Sequence, residues 1–293
     1  EGSLIGVLLM AYGTPRNLDE VEAFYTDIRG GRPPPPELLA NLRGRYQAIG
    51  GHTPLLEITR RQAAALDAEL GAEYRVFVGM RHWHPYIREV VADVAAAGIK
   101  CGVALALAPH YSALSVGAYF QAVDDAGVDV EFAKVSSWHL QPSYLEASGD
   151  KVREAAVDWQ PDVVVFTAHS LPTRILETGD PYVDQLTDTS QALARQLGLA
   201  RWAFSFQSAG ATGDAWLGPD ILQTLQQLAA EGARRILVAP IGFISDHLEI
   251  LYDLDVLACR QASDLGIELR RVQSLNASPK LIAALAAAVR EAS

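Results

Sequence analysis

The sequence predicts an α/β protein made of two Rossmann-like, doubly wound lobes with parallel sheets. Three observations predict it. Short apolar runs such as 4–11 and 163–168 alternate with helix-period segments, and that alternation builds parallel sheets covered on both faces. The rhythm restarts after Trp138. A length of 293 residues is too great for one small core and suits two lobes. Residues 1–138 are therefore read as an N-terminal lobe, 139–277 as a C-terminal lobe and 278–293 as a closing helix.

In the first lobe a buried strand at 4–11 precedes a helix over 18–29. Asp19 and Glu20 near its start and Arg29 at its end suit the helix dipole. The prolines 33–36 cannot lie inside a helix and form a stiff extended connector. Helices at 37–49 and 55–70 follow, then strand 76–80, helix 86–97, strand 103–108, helix 116–126 and strand 128–135. The second lobe reads as helix 144–157, strand 163–168, helix 182–197, strand 203–206, helix 221–231, strand 236–239, helix 246–262 and strand 267–271. Helix 280–291 closes it. A ligand site is expected in the cleft between lobes, where strand C-termini deliver their loops.

Lys plus Arg number 24 against 35 Asp plus Glu, a net charge of −11, which argues against nucleic acid or an anionic membrane as the main partner. An anionic ligand needs local basic residues to overcome that repulsion. The two cysteines, Cys101 and Cys259, read as reduced, partly buried thiols. They are too few for a four-cysteine zinc or iron–sulfur site. No apolar run reaches the roughly 20 residues of a membrane span. The apolar run at 4–11 lacks a preceding basic region, unlike a signal peptide. A cytoplasmic protein is expected.

Several strand exits carry polar residues. His169 follows an apolar strand and precedes Ser170-Leu171-Pro172; it is either a hydrogen-bonding strand cap or a functional group at a strand exit. Asp246, Glu249 and Asp253 share one helix face. They form either a solvated first turn, with Asp246 and Glu249 as a capping box, or a carboxylate path for a divalent cation. His82 and His84 flank Trp83 and alternate to one side of an extended segment; such a pair is structural more often than metal-binding. Arg29, Arg45 and Tyr46 lie near the proline connector, where guanidinium forks match carboxylates. No Walker loop or Gly-rich dinucleotide fingerprint follows any strand.

Taken together, these segments resemble the ferrochelatase family. The matching pieces are Met10-Ala11-Tyr12-Gly13-Thr14-Pro15, Tyr46-Gln47-Ala48-Ile49-Gly50-Gly51, Leu107-Ala108-Pro109-His110-Tyr111-Ser112, Ala168-His169-Ser170-Leu171-Pro172, Gly179-Asp180-Pro181-Tyr182, Trp216-Leu217-Gly218-Pro219-Asp220 and Gly242-Phe243-Ile244-Ser245-Asp246-His247-Leu248-Glu249. They fall in the family's order and span nearly the whole chain. The resemblance implies a chelatase fold with a porphyrin cleft and insertion of Fe²⁺, with coproporphyrin III as the expected porphyrin. In it His169 matches the metal-site histidine and Glu249 its partner carboxylate. Tyr12 matches a tyrosine that, in the coproporphyrin III branch, can ligate product iron from the opposite face. Arg29, Arg45, Tyr46 and Tyr119 match porphyrin-contacting positions, and Thr53 stands where a relative commonly has serine. The resemblance implies iron as substrate, no permanent cofactor and no iron–sulfur cluster, with a downstream haem-pathway enzyme as a further partner.

There are departures. Ala209 stands where relatives often carry glutamate, and Leu257 where some carry another acid. Both weaken a long carboxylate relay. Insertion exchanges two pyrrole protons for one divalent ion, so the cleft must bend the ring, hold iron briefly and accept protons. An imidazole and a carboxylate suit those tasks, and few ligands are wanted because a four-ligand cage would keep the iron. The alternatives are a protoporphyrin IX ferrochelatase, a chelatase of another tetrapyrrole, which tends to use two histidines, and a haem carrier that needs Tyr12 and the arginines but not His169 with Glu249. A two-lobe sugar or amino-acid binding protein also fits the fold but normally has an export signal.

Overall fold

The computed structural model describes residues 3–293. Strand β1 (Ile5–Ala11) is central in the first sheet, whose order is β2-β1-β3-β4 with β2 (Tyr74–Met80), β3 (Cys101–Ala106) and β4 (Glu131–Val135). All its pairings are parallel, with Ile5 opposite both Tyr74 and Cys101. The second sheet repeats the pattern as β6-β5-β7-β8, from β5 (Val163–His169), β6 (Trp202–Gln207), β7 (Arg235–Pro240) and β8 (Glu268–Arg271).

Alternation along the strands explains the layers. Val7, Leu9, Val103 and Leu105 face one way, into a core shared with Leu66 of α3 (Leu55–Leu70) and Leu281 and Leu285 of α10 (Pro279–Ala292). Leu8, Met10, Ala104 and Ala106 face the other, against α4 (Ile87–Ala96) and α5 (Val116–Asp125). In the second sheet Val164, Phe166 and Leu237 pack on α6 (Pro142–Ala156) and α7 (Tyr182–Leu197). Val163, Val165, Ile236 and Val238 pack on α8 (Ile221–Ala230), on a π-helix at Glu249–Ala258 and on α9 (Cys259–Asp264). The closing helix thus covers the first sheet, although it follows the second in sequence.

Helices α1 (Val21–Ile28) and α2 (Pro36–Ala48) stand outside both sheets. Their Val21, Phe24 and Tyr46 pack on Trp83, Tyr86 and Leu248, which ties the first lobe to the start of the π-helix. The lobes also meet where the β3 exit loop docks on α7. There the Tyr111 backbone N–H donates to Gln185 Oε1 at 2.8 Å, and the Ser112 hydroxyl donates to Asp180 at 2.9 Å.

Two expectations are corrected. The helix expected over 246–262 begins at Glu249 and runs ten residues as a π-helix before turning α-helical. Its capping box does not form. The Asp246 side chain instead accepts from Ser274 at 2.8 Å and Asn276 at 3.2 Å, which turns it away from the helix start. A 3₁₀ segment at Thr173–Thr178 was not expected from the apolar pattern. Among the described residues no helix is long and apolar enough to cross a membrane.

Candidate active site

The strand order reverses at β1 and at β5, so the exits of β1, β3, β5 and β7 open at the two switch points. His169 is the last residue of β5. The Tyr182 hydroxyl donates to its carbonyl at 2.8 Å. Its Nδ1 lies 2.5 Å from the Ser170 carbonyl, which can only accept. The ring proton therefore sits on Nδ1, and Nε2 keeps the lone pair that a metal or proton would take. Trp216 and Phe243 flank the ring, with centroids at 6.4 and 6.3 Å. Gly242 makes this packing possible: a Cβ there would sit 2.6 Å from Ala168 Cβ.

Glu249 opens the π-helix, and its carboxylate lies 3.1 Å from His247 Nε2. The other nitrogen of His247 faces the Ser245 carbonyl at 2.9 Å, which fixes the ring between that carbonyl and the Glu249 carboxylate. Burial alone would raise the Glu249 carboxyl. His247, His169 and Arg45 outweigh it and hold the group below the usual carboxylate range.

One turn further along, Asp253 accepts from Arg45 of α2 at 2.7 Å and from the Ser208 hydroxyl at 2.5 Å. Burial and neighbouring Glu249 push it up, against the pull of Arg45 and Ser208. Ser208 aims its hydroxyl from a left-handed backbone, φ 61°, a conformation disfavoured for a residue with a Cβ. Gln207, fully buried, donates to both Ser208 Oγ and the Glu249 carbonyl, at 3.1 and 3.0 Å. Among the described residues no three histidine, cysteine or acidic side chains form a metal cage.

The first lobe supplies the facing wall. Tyr12, on the β1 exit, is 37 % exposed and its ring stacks edge-on against His82 at 4.7 Å. Crowding of its phenol, with Glu249 near, pushes it up, so the hydroxyl keeps its proton. Tyr119 is buried beneath Arg81, with its phenol likewise pushed up by burial. Tyr46 is buried as well; burial and nearby Glu249 raise it against a hydrogen bond from Thr14. Thr53 shares a 2.8 Å hydrogen bond with Thr14. Behind that pair lies a cavity of about 470 Å³ lined by Arg16, His52, Arg60 and Arg61. Arg29 rests on the Tyr25 ring at 6.0 Å, and its Nε is buried with no hydrogen-bond partner.

Tyr12, Tyr46, Tyr119, His169 and Arg45 thus gather around Glu249, whereas Thr53 bonds to Thr14 and Arg29 covers the Tyr25 ring outside that group. His82 and His84 do not converge: His82 binds Asp27 at 2.9 Å, while exposed His84 lies 3.6 Å from Glu89. Sequence reasoning missed His247, Ser208 and Arg81 as neighbours of the site. His247 stood two residues before Glu249, a spacing that a helix would have sent elsewhere; it precedes the helix instead.

Two solved chelatases share this architecture. SirB from Bacillus subtilis with Fe³⁺ superposes with a TM-score of 0.62 at 10% identity, covering 99% of this chain and 95% of that one. CbiX, the terminal enzyme for biosynthesis of siroheme in denitrifying bacteria, gives 0.58 at 13% identity, covering 98% and 99%. At such identities the likeness establishes the fold alone. The chain belongs to the ferrochelatase family, whose model matches residues 4–293. It is similar to a ferrochelatase of Herpetosiphon aurantiacus, 46% identical over 94% of this chain and 95% of the relative. It is also similar to a coproporphyrin III ferrochelatase of Oceanobacillus iheyensis, 36% identical over 98% and 96%. It is a metal chelatase acting on porphyrin and iron.

Proposed function

We propose that the chain inserts Fe²⁺ into coproporphyrin III, releasing two protons and giving Fe-coproporphyrin. The observation that carries this reading is the set of carboxylate-binding groups around the cleft. Arg29 has an unpaired Nε, Arg45 reaches in from α2 to Asp253, and the hydroxyls of Tyr46 and Thr53, buried and engaged with Thr14, would have to turn from it to meet a propionate. Coproporphyrin III bears four propionates, protoporphyrin IX two. Propionates left unpaired in a dry cleft would cost about 1–3 kcal/mol each, and site groups left unpaired by vinyls cost similarly. Relatives named for coproporphyrin III add support.

His169 Nε2 receives iron or a pyrrole proton on the second-lobe side of the ring. Glu249, held anionic, is a hard oxygen ligand for the incoming cation and takes the second proton. His247 carries that proton onward to solvent. Tyr12 faces the other side of the ring, neutral toward ferrous iron and, once dioxygen has taken an electron from the product, able to ligate the ferric ion on losing its proton. No resident cofactor is required, and two cysteines do not supply an iron–sulfur cluster.

The test is anaerobic insertion of Fe²⁺ into the two porphyrins, compared by kcat/KM under one detergent condition. A clear preference for coproporphyrin III is expected. Preference for protoporphyrin IX would overturn the substrate assignment and leave the chelatase intact.

A further inference from the structure

Arg45 and Asp253 come from different lobes, 208 residues apart, and are joined at 2.7 Å with side chains 24% and 11% exposed. The packing of Tyr46 on Leu248, with Tyr252 beside them, brings the two side chains within reach. Arg45 leaves α2 in its last turn, lies over the Tyr252 ring at 5.5 Å and acts on Glu249 as well as Asp253. One guanidinium thus pairs with Asp253 and also weakens the field of Glu249, next to the place where a cation must arrive. The other Asp253 oxygen is held by Ser208, so Asp253 stays anchored if Arg45 swings away.

We propose that Asp253 is an exchangeable counter-ion: Arg45 leaves it for a carboxylate of the incoming ring, and the uncovered carboxylates then attract the divalent cation. The inference rests on the porphyrin reading given above. Asp253 competes with the substrate for Arg45 while the ring is absent. Once the ring holds Arg45, the positive charge is screened by a propionate and Asp253 joins Glu249 in facing the metal. Ring and cation therefore tighten each other's binding, and linkage makes the effect mutual. The arrangement favours ring before metal and keeps iron from lodging in a protein that has nothing to receive it.

The affinity of metal-free coproporphyrin III, measured by fluorescence in chelator-treated buffer, tests the competition. Asp253→Asn removes the competitor and keeps the side-chain shape. It should tighten ring binding about 5–10-fold, within the ordinary range of coupling between sites. In an R45M background the same change should leave ring affinity unmoved. A purely structural Arg45–Asp253 latch predicts the opposite, namely that D253N weakens the ring. Equal or weaker binding by D253N would overturn the exchange alone. Failure of the wild-type protein to bind the ring would overturn the porphyrin reading and the exchange with it. Zn²⁺ alone, titrated at pH 8 without ring, gives a second readout independent of the Asn variant. R45M should bind it about fivefold or more tightly than wild type, and an unchanged or weaker affinity would overturn the proposal.

Discussion

His110 is a sharp test of how the two lobes hold together. It follows β3 at the seam, is 2 % exposed, and its Nε2 meets the Thr189 hydroxyl of α7 at 2.8 Å. Its Nδ1 has no partner, and the His139 ring lies 5.6 Å away. Burial, reinforced by His139, pushes its pKa down to about 3. In the unfolded chain a histidine titrates near 6.5. The fold therefore favours the neutral ring, and this stability is fully present above about pH 6.5 and is lost as pH falls toward 3. Linkage gives up to about 1.4 kcal/mol per pH unit, hence about 2 kcal/mol lost between pH 7 and pH 5. His110→Phe keeps a flat ring and removes the titration. It also removes the unpartnered nitrogen, which offsets the lost bond to Thr189; that hydroxyl still donates to the His139 carbonyl at 3.2 Å. Urea unfolding at both pH values, followed by circular dichroism, should show wild type losing about 2 kcal/mol more than the variant. Parallel losses in the two proteins would refute the reasoning.

Three further outcomes are expected. His169→Ala should abolish insertion while coproporphyrin still binds, as read by ring fluorescence; near-normal turnover in a folded variant would remove His169 from the chemistry. Glu249→Gln should lower kcat/KM by about a hundredfold, equivalent to about 2.7 kcal/mol, with little change in thermal midpoint; a change in midpoint alone would reduce Glu249 to a structural role. The ferric product complex should show a tyrosinate absorption that Tyr12→Phe removes; an unchanged spectrum would rule out ligation by Tyr12.

Much of the fold was legible because local signals agreed with the layers. Helices α3 and α7 appear over the expected residues, each stopped by a glycine with positive φ, Gly71 and Gly198. Strand β3 begins earlier than its apolar run suggests, since parallel pairing with β1 recruits Cys101 opposite Ile5, and it ends at Ala106, with the Leu107 N–H making a last bond to the Met10 carbonyl at 2.8 Å. His169 was visible as a polar residue ending an apolar strand. The π-helix was not legible, because apolar spacing scarcely differs from that of an α-helix over so short a run, and Asp246 looked like a cap. Its real partners, Ser274 and Asn276, lie about thirty residues on in the chain. Arg45 looked like a free carboxylate binder. No periodicity could reveal that the cleft already holds it against Asp253 and leaves Arg29 Nε without a partner.

Each hydrogen-bonded ring of the π-helix Glu249–Ala258 encloses one more residue than an α-helix would. The segment therefore behaves like a spring wound one notch loose. Loss of a single residue, such as the partly exposed Leu257, would let it relax into ordinary α-helix. Relaxation would rewind the whole segment at the α-helical pitch of about 100° per residue, so its side chains would no longer keep their present faces. If α9 and β8 stayed seated, Glu249 and Asp253 would swing off the cleft while Ile250 and Leu254 left their core positions. A shortened chain of this kind could gain in helix hydrogen bonding and still be mute as a chelatase. Length in this segment is therefore constrained alongside the identities of Glu249 and Asp253, and at Leu257 a substitution that keeps the count should be tolerated where a deletion is not.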